Sequence, residues 1–291
     1  MDIENEIPAE QKYIQNVDNL VPRPDLAFDV LSMAHNANCS FSELAKKIEM
    51  DPNLTANMLR LANSAYFGHM RAINSVKDII VRLGLETVKL LAITSASVGL
   101  MKSPQEAYNL EPGSLWYHSH ASAVLSSVIC QYAKYHDSGS IYTAALLHDI
   151  GKVLLNKPLQ IAISNIKVKP KKKFSNLVEL EYSLLQTNHA KVGKALLEKW
   201  GLPENISDPV GNHHLPEDME NADMGSRIVY LANFMVESIG IRSMSPENYA
   251  FNVQEFIEQN MILPDIPNFQ ANMEGIMSDF FTQFNETTNI C

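Results

Sequence analysis

Apolar residues recur along this chain at three- and four-residue spacing, and almost nowhere alternate with period two. From Leu54 to Ala62, the positions Leu54, Met58, Leu61 and Ala62 share one helical face, and Asp51-Pro52 supplies an acidic cap with Pro at the first turn. Ser40-Phe-Ser-Glu43 spells a capping box opening the short helix before it. A longer stripe runs through Ala121, Val124, Leu125, Val128, Ile129 and Tyr132. Leu185, Val192, Leu196 and Trp200 trace another, ended by Gly201-Leu-Pro203, and Ile228, Leu231, Ala232, Met235 and Ile239 trace a third. The expected fold class is all-α.

Punctuation is softer. Ser103-Pro104 and Glu111-Pro-Gly113 separate an N-terminal helical group from a central one. The expected division is a tail at 1–20, a smaller helical subdomain at 21–105, a helical bundle at 106–245 and a helical extension at 246–291. That extension carries Met261, Met273, Met277, Phe269, Phe280, Phe281 and Phe284, which reads as core covering sooner than as a partner surface. Lys167 to Lys173, with five lysines around Pro170, reads as a solvated loop.

Composition narrows the function. Hydrophobic residues make up 46% and charged residues 19% of 291, enough to bury a normal core. A net charge of −10 disfavours broad binding to nucleic acids or anionic membranes. Cys39, Cys130 and Cys291 are odd in number, widely spaced and free of any CxxC pair, as suits a reducing compartment. MDIENEIPAE lacks the features of a secretory leader, and no run reaches the ~18 apolar residues of a spanning helix, so the expected location is the cytoplasm.

The histidines carry the chemistry. His118 precedes Ala121 and Leu125 at helical spacing and so points inward, whereas His120 faces elsewhere. His148 follows Ile141 and Ala144, with Asp149 on the adjacent flank; His189 precedes Val192, Leu196 and Trp200; His213 and His214 follow Ile206 and Val210. A single histidine on an apolar face is usually a core residue bonded to a backbone carbonyl. Five of them with an aspartate form the ligand set of a borderline divalent metal: iron or manganese first, zinc or nickel as alternatives, at one or two positions. Helical bundles build such sites from facing helices.

The motifs resemble a known family. Leu147-His-Asp-Ile-Gly-Lys152 is similar to the signature of the HD superfamily of metal-dependent phosphohydrolases, and Trp116-Tyr-His118-Ser119 to its first histidine. His189-Ala-Lys-Val-Gly193, Trp200-Gly-Leu-Pro203 and His213-His214 resemble the pattern of the HD-GYP and HDOD branches. Asp51-Pro-Asn-Leu-Thr55, Arg60-Leu-Ala-Asn-Ser64, Phe67-Gly68 and Arg82-Leu-Gly84 resemble HDOD, the HD-related output domain of bacterial signalling proteins. The resemblance implies an HD-like helical bundle preceded by a smaller helical subdomain. It also implies a metal pocket lined by His118, His148, Asp149, His189, His213 and His214, with Asp149 anchoring or bridging metal and Lys152 facing a substrate phosphate. In active members a metal-activated water attacks phosphorus while the metal stabilises oxygen charge.

Two departures weigh against turnover. The superfamily's last ligand is an Asp on a late helix, and the matching position after Ser226-Arg-Ile-Val-Tyr-Leu-Ala232 is Asn233, which brings no negative charge. Asp223, the nearest other carboxylate upstream, is a candidate substitute that the family pattern does not support. The segment after His214 lacks GYP, the hallmark of the cyclic-di-GMP phosphodiesterases. The function expected is therefore a signal-transduction module with a retained divalent-metal pocket, weak or inactive in catalysis, working through a signalling protein partner. A metal-dependent phosphohydrolase acting on a phosphoester or nucleotide is the alternative, and a metal sensor lies between the two.

Overall fold

The computed structural model describes residues 8–15, 33, 40–63, 73–166, 176–214, 221–242 and 266–288. Among them every regular element is helical, and the only β-type pairing is an isolated bridge between Gln105 and Leu110. Phe67-Gly68, Cys39, Cys291, Met261, Ser64, the Lys167–Lys173 loop and the side chain of Arg60 lie outside the described residues.

The first elements follow their caps. Helix α1 (Ala9–Ile14), within the segment read as a tail, buries Ile14, and Lys199 donates to the Ile14 carbonyl at 2.8 Å. Helix α2 (Phe41–Glu49) opens on the capping box, with both reciprocal Ser40–Glu43 bonds made. Helix α3 (Pro52–Ala62) starts at proline, and Asp51 accepts from the Leu54 N–H at 3.0 Å. Both pack on α4 (Val76–Met101), two helical segments joined at Gly84. Gly84 has φ 81° and ψ 170°, backbone that only glycine adopts without strain.

The bundle is built round α5 (Ser114–Ala133). Its predicted apolar stripe is buried from Ala121 to Ile129, with Tyr132 partly buried, and Ser119, Ser122, Ser126 and Ser127 on the other faces are buried too, because neighbours cover the helix. Those neighbours are α6 (Ser138–Leu147), α11 (Met224–Ser238) and α12 (Met273–Thr288). Phe269, Phe280 and Phe284 are buried and α12 lies against α5, so this face of the C-terminal extension covers the core, whereas Met273 and Phe281 are exposed.

Helix α7 (Ile150–Ser164) crosses α9 (His189–Lys199), with α8 (Leu177–Leu185) against α7 and α10 (Glu204–Asn212) against α9. Glycine sets the crossing: a Cβ on Gly151 would overlap the His189 carbonyl, and Gly193 sits directly opposite. This contact brings the start of α9 to the start of α7.

The stripe from Leu185 to Trp200 is not one helix. Leu185 ends α8, Gln186 turns left-handed at φ 60°, and Asn188 caps α9 by accepting from the Lys191 N–H at 2.9 Å. A short turn preserved the apolar spacing across the break.

Candidate metal centre

The site lies where helices end. His148 is the C-cap of α6 and Asp149 the N-cap of α7, so the chain breaks between them. The break swings the Asp149 carboxylate off the flank expected of a continuous helix and into the same pocket as His148. His189 is the first residue of α9, and His213 follows the last of α10. His118 comes from the second turn of α5 and Asn233 from α11. Side chains His118, His148, Asp149, His189 and His213 are fully buried, Asn233 is nearly so, and His214 is half-buried at the edge.

Each ring is oriented by its Nδ1. His118 Nδ1 meets the Ile241 carbonyl at 2.8 Å, His148 Nδ1 the Ala145 carbonyl at 2.6 Å and His213 Nδ1 the Val210 carbonyl at 2.6 Å. Carbonyls only accept, so these Nδ1 atoms carry the protons, and in the neutral rings each Nε2 holds a bare lone pair. Those lone pairs converge. His118 Nε2 is 3.2 Å from His148 Nε2 and 3.0 Å from Asn233 Oδ1. His214 Nε2 lies 3.0 Å from His189 Nε2.

Asp149 stands between two clusters. Its Oδ1 lies 3.3 Å from His189 Nε2 and 3.7 Å from His213 Nε2. Its Oδ2 lies 3.4 Å from His148 Nε2 and 3.9 Å from His118 Nε2. The same Oδ2 accepts from Lys152 Nζ at 2.8 Å, and the Lys152 ammonium, almost wholly buried, also sits over the Tyr108 ring at 5.8 Å. Lys152, expected to face a phosphate, is thus engaged inside the protein with the site's own carboxylate.

Burial drives the protonation states. It pushes His118 down to about 4, with His148 adding to the effect, and pushes His213 down to about 3. His214 is lowered as well, again chiefly by burial. For Asp149 burial works upward, but Lys152 and His148 outweigh it and hold the carboxyl well below its ordinary value. At neutral pH these histidines are therefore neutral and Asp149 is charged, which are the ligating forms.

The donors fit a metal. Bonds of about 2.1 Å place neighbouring ligand atoms about 3.0–3.4 Å apart. The 3.0 to 3.4 Å contacts among the Nε2 and carboxylate atoms match that spacing. Asp149 Oδ1 and His213 Nε2 are buried and make no hydrogen bond, a costly arrangement that a bound cation relieves. Two groups can each hold an ion: His118, His148 and Asp149, and Asp149, His189, His213 and His214. Asp149 belongs to both.

Other residues resolve differently. His120 faces away from the pocket, as its register predicts, stacking on Trp116 and meeting Thr287 Oγ1 at 2.9 Å. Asp223 caps α11 through the Ser226 N–H at 2.9 Å, so it is no substitute ligand. Asn63 bridges Leu59 and Ile73 through backbone bonds at the end of α3, a turn-forming role. Cys130 is buried as a small hydrophobe, its thiol pushed up to about 12 by burial.

Sequence reasoning missed Glu181 and Tyr108. Glu181, fully buried on α8, accepts from the His189 backbone N–H at 2.9 Å and from His189 Nδ1 at 2.6 Å. Tyr108 donates to its other oxygen at 2.7 Å from the 3₁₀ turn Glu106–Tyr108. The signal was faint: a carboxylate beside Leu180 in an apolar stretch, with Glu179 equally eligible.

The HDOD domain model matches residues 20–216, taking in all these ligands except Asn233. The chain belongs to the HDOD domain family. An uncharacterized protein of Treponema pallidum (strain Nichols) is 23% identical over 226 residues. The match takes in 76% of this chain but only 42% of that protein, so the chain spans less than half the length of its relative. Among solved structures, an HDOD domain protein of unknown function from Geobacter sulfurreducens is 24% identical with a TM-score of 0.55, covering 97% of this chain and 99% of that one. A Shewanella amazonensis SB2B protein, named provisionally as a metal-dependent phosphohydrolase, has a TM-score of 0.62 at 15% identity, covering 97% and 100%. A Marinobacter aquaeolei VT8 protein, named provisionally for signal transduction, has a TM-score of 0.50 at 18% identity, covering 96% and 67%. At these identities the solved structures show the shared HDOD fold. No helix among the described residues is long and apolar enough to cross a membrane.

Proposed function

We propose that this HDOD chain is a cytoplasmic signal-transduction module whose HD pocket holds a divalent ion, iron or manganese in preference to zinc or nickel, with weak or no hydrolytic turnover. The observation that carries this reading is the pairing of bare imidazole lone pairs with a carboxylate already tied to Lys152. Convergent Nε2 atoms favour a bound ion. Lys152 takes charge from Asp149, and Asn233 adds none, so the pocket is a poorer electrophilic centre than one with two ligating carboxylates. The depth of the ligands also favours an ion over a phosphoester reaching them. The output is contact with a signalling protein partner, which accords with the fold shared with the Marinobacter protein.

When bound, a dication supplies Lewis-acid stabilisation of negative oxygen. This chain's residues do the rest: Asp149 would anchor an ion on either side, and Nδ1 bonds to carbonyls keep the Nε2 atoms free to ligate. One observation favours the second reading, a phosphohydrolase: His214 is half-buried and gives the pocket an edge toward solvent. A nucleotide or other phosphoester would enter there.

Elemental analysis for Fe, Mn, Zn and Ni, beside His148→Ala and Asp149→Ala, tests the first reading. About one or two ions per chain, lost in the variants, is the expected result. A panel of nucleotides and cyclic dinucleotides should show no turnover above blank with Mn or Fe. Turnover abolished by His148→Ala would replace the module with the enzyme.

A further inference from the structure

Asn233 removes a negative charge from the pocket, yet the residues that would ligate are otherwise retained. The missing charge has a counterpart on the opposite side. Buried formal charges at the site are Asp149 and Glu181, both negative, and Lys152, positive. Asp149 and Lys152 are paired, which leaves Glu181 as the uncompensated anion.

Glu181 is fixed from three directions. Its Oε2 accepts the His189 backbone N–H at 2.9 Å, one of the first-turn donors that α9 cannot satisfy internally. The same oxygen meets His189 Nδ1 at 2.6 Å. Its Oε1 takes the Tyr108 hydroxyl at 2.7 Å. Tyr108 is held in turn by its place beside the Gln105–Leu110 bridge, and the Ala107 N–H donates to Asn156 of α7 at 2.9 Å. A carboxylate on the far nitrogen of a ligating histidine fixes its tautomer and raises its basicity.

Resting on the metal-pocket reading above, we propose that Glu181, held by Tyr108, is a positioning residue. It makes His189 the strongest neutral ligand and draws the first ion to the Asp149–His189–His213–His214 side of the pocket. Among the described residues, His118, His148 and His213 lean on backbone carbonyls instead.

The test uses the full chain stripped of metal and titrated with Mn²⁺, affinity being read by competition with a chelating dye. Glu181→Gln keeps the shape and is expected to weaken the first ion 10- to 100-fold. Tyr108→Phe keeps the ring over Lys152 and removes one hydroxyl; a loss of about 3- to 10-fold is expected. Asn233→Asp in the Glu181→Gln background returns a charge to the pocket and should recover much of the affinity, which a merely structural loss would not do. In the metal-free wild type the His189 Nδ1–H proton should resonate far downfield and move in Tyr108→Phe. Wild-type affinity in a helical Glu181→Gln variant overturns this inference and leaves the pocket intact. If Glu181→Gln does not fold, Tyr108→Phe decides: unchanged affinity and an unmoved proton refute the role. A wild type that takes up no ion refutes the metal pocket itself, and this inference with it.

Discussion

On one side of Asp149, His118 and His148 lean on backbone carbonyls and His118 faces the amide of Asn233; on the other, His189 leans on the carboxylate of Glu181. Both sides present buried Nε2 atoms to the same aspartate at comparable range. They differ in the charge behind the ligands. A bundle can thus keep the geometry of an ion site while the electrostatics that make it tight or reactive survive on only one side.

The largest break in this comparison comes from removing what the halves share. Asp149→Ala should abolish ion uptake on both sides. It also takes away the carboxylate beside the buried Lys152 ammonium, at a cost of about 3–5 kcal/mol. Chemical denaturation measures the loss. Asp149→Ala with Lys152→Met should regain much of that stability but no metal. Stability unaltered by Asp149→Ala would refute the ion pair as a structural element.

Acid should act next. His118 is held down to about 4 and His213 to about 3, against an ordinary 6.5, so the folded chain binds fewer protons than the unfolded one between these values. Stability therefore rises with pH there: full above about 6.5, and lost progressively as pH falls towards about 4. At pH 5 each imidazole costs about 2 kcal/mol. The lowered Asp149 adds a loss of the same sign, starting as pH falls below its ordinary 3.8. Urea midpoints of the chelated protein at pH 7 and pH 5 test this, and an equal or higher midpoint at pH 5 would refute buried neutral histidines.

How far the sequence reveals such a site depends on whether its parts are local. The capping box at Ser40 and the Pro52 start are single-turn events, legible because the bonds join residues three apart. Inward registers at His118 and His189 followed from apolar neighbours on the same helix. Other parts are not local. Asp149 reaches the pocket because α6 stops and α7 begins beside it, a break that periodicity does not mark. Glu181 meets His189 across the Gln186–Asn188 turn, and Tyr108 meets Glu181 from 73 residues away. Pairings of that kind are made by tertiary packing, so composition and spacing carry no trace of them.

A smaller effect would sharpen the contrast. Asn233→Asp should tighten ion binding at the His118–His148 side about 10-fold by restoring charge there. Mn²⁺ titration should then show a second ion at lower concentration than in the wild type. Unchanged stoichiometry and affinity would mean that Asn233 Oδ1, at 3.0 Å from His118 Nε2, contributes nothing to an ion's surroundings.

The smallest effect is the most discriminating for the histidines themselves. His118 and His120 are buried two residues apart on α5, but their registers differ by over half a turn. His120 meets Thr287 and stacks on Trp116 beneath α12, outside the pocket that His118 enters. His120→Phe keeps the stacking and loses the hydrogen bond to Thr287, so thermal unfolding should report a cost of about 1 kcal/mol while ion uptake stays at the wild-type level. His118→Phe should behave in the opposite way, sparing hydrophobic burial and removing a ligand. If both variants lost the ion equally, α5 would be acting through packing alone, and burial of a histidine in this bundle would say nothing about its chemistry.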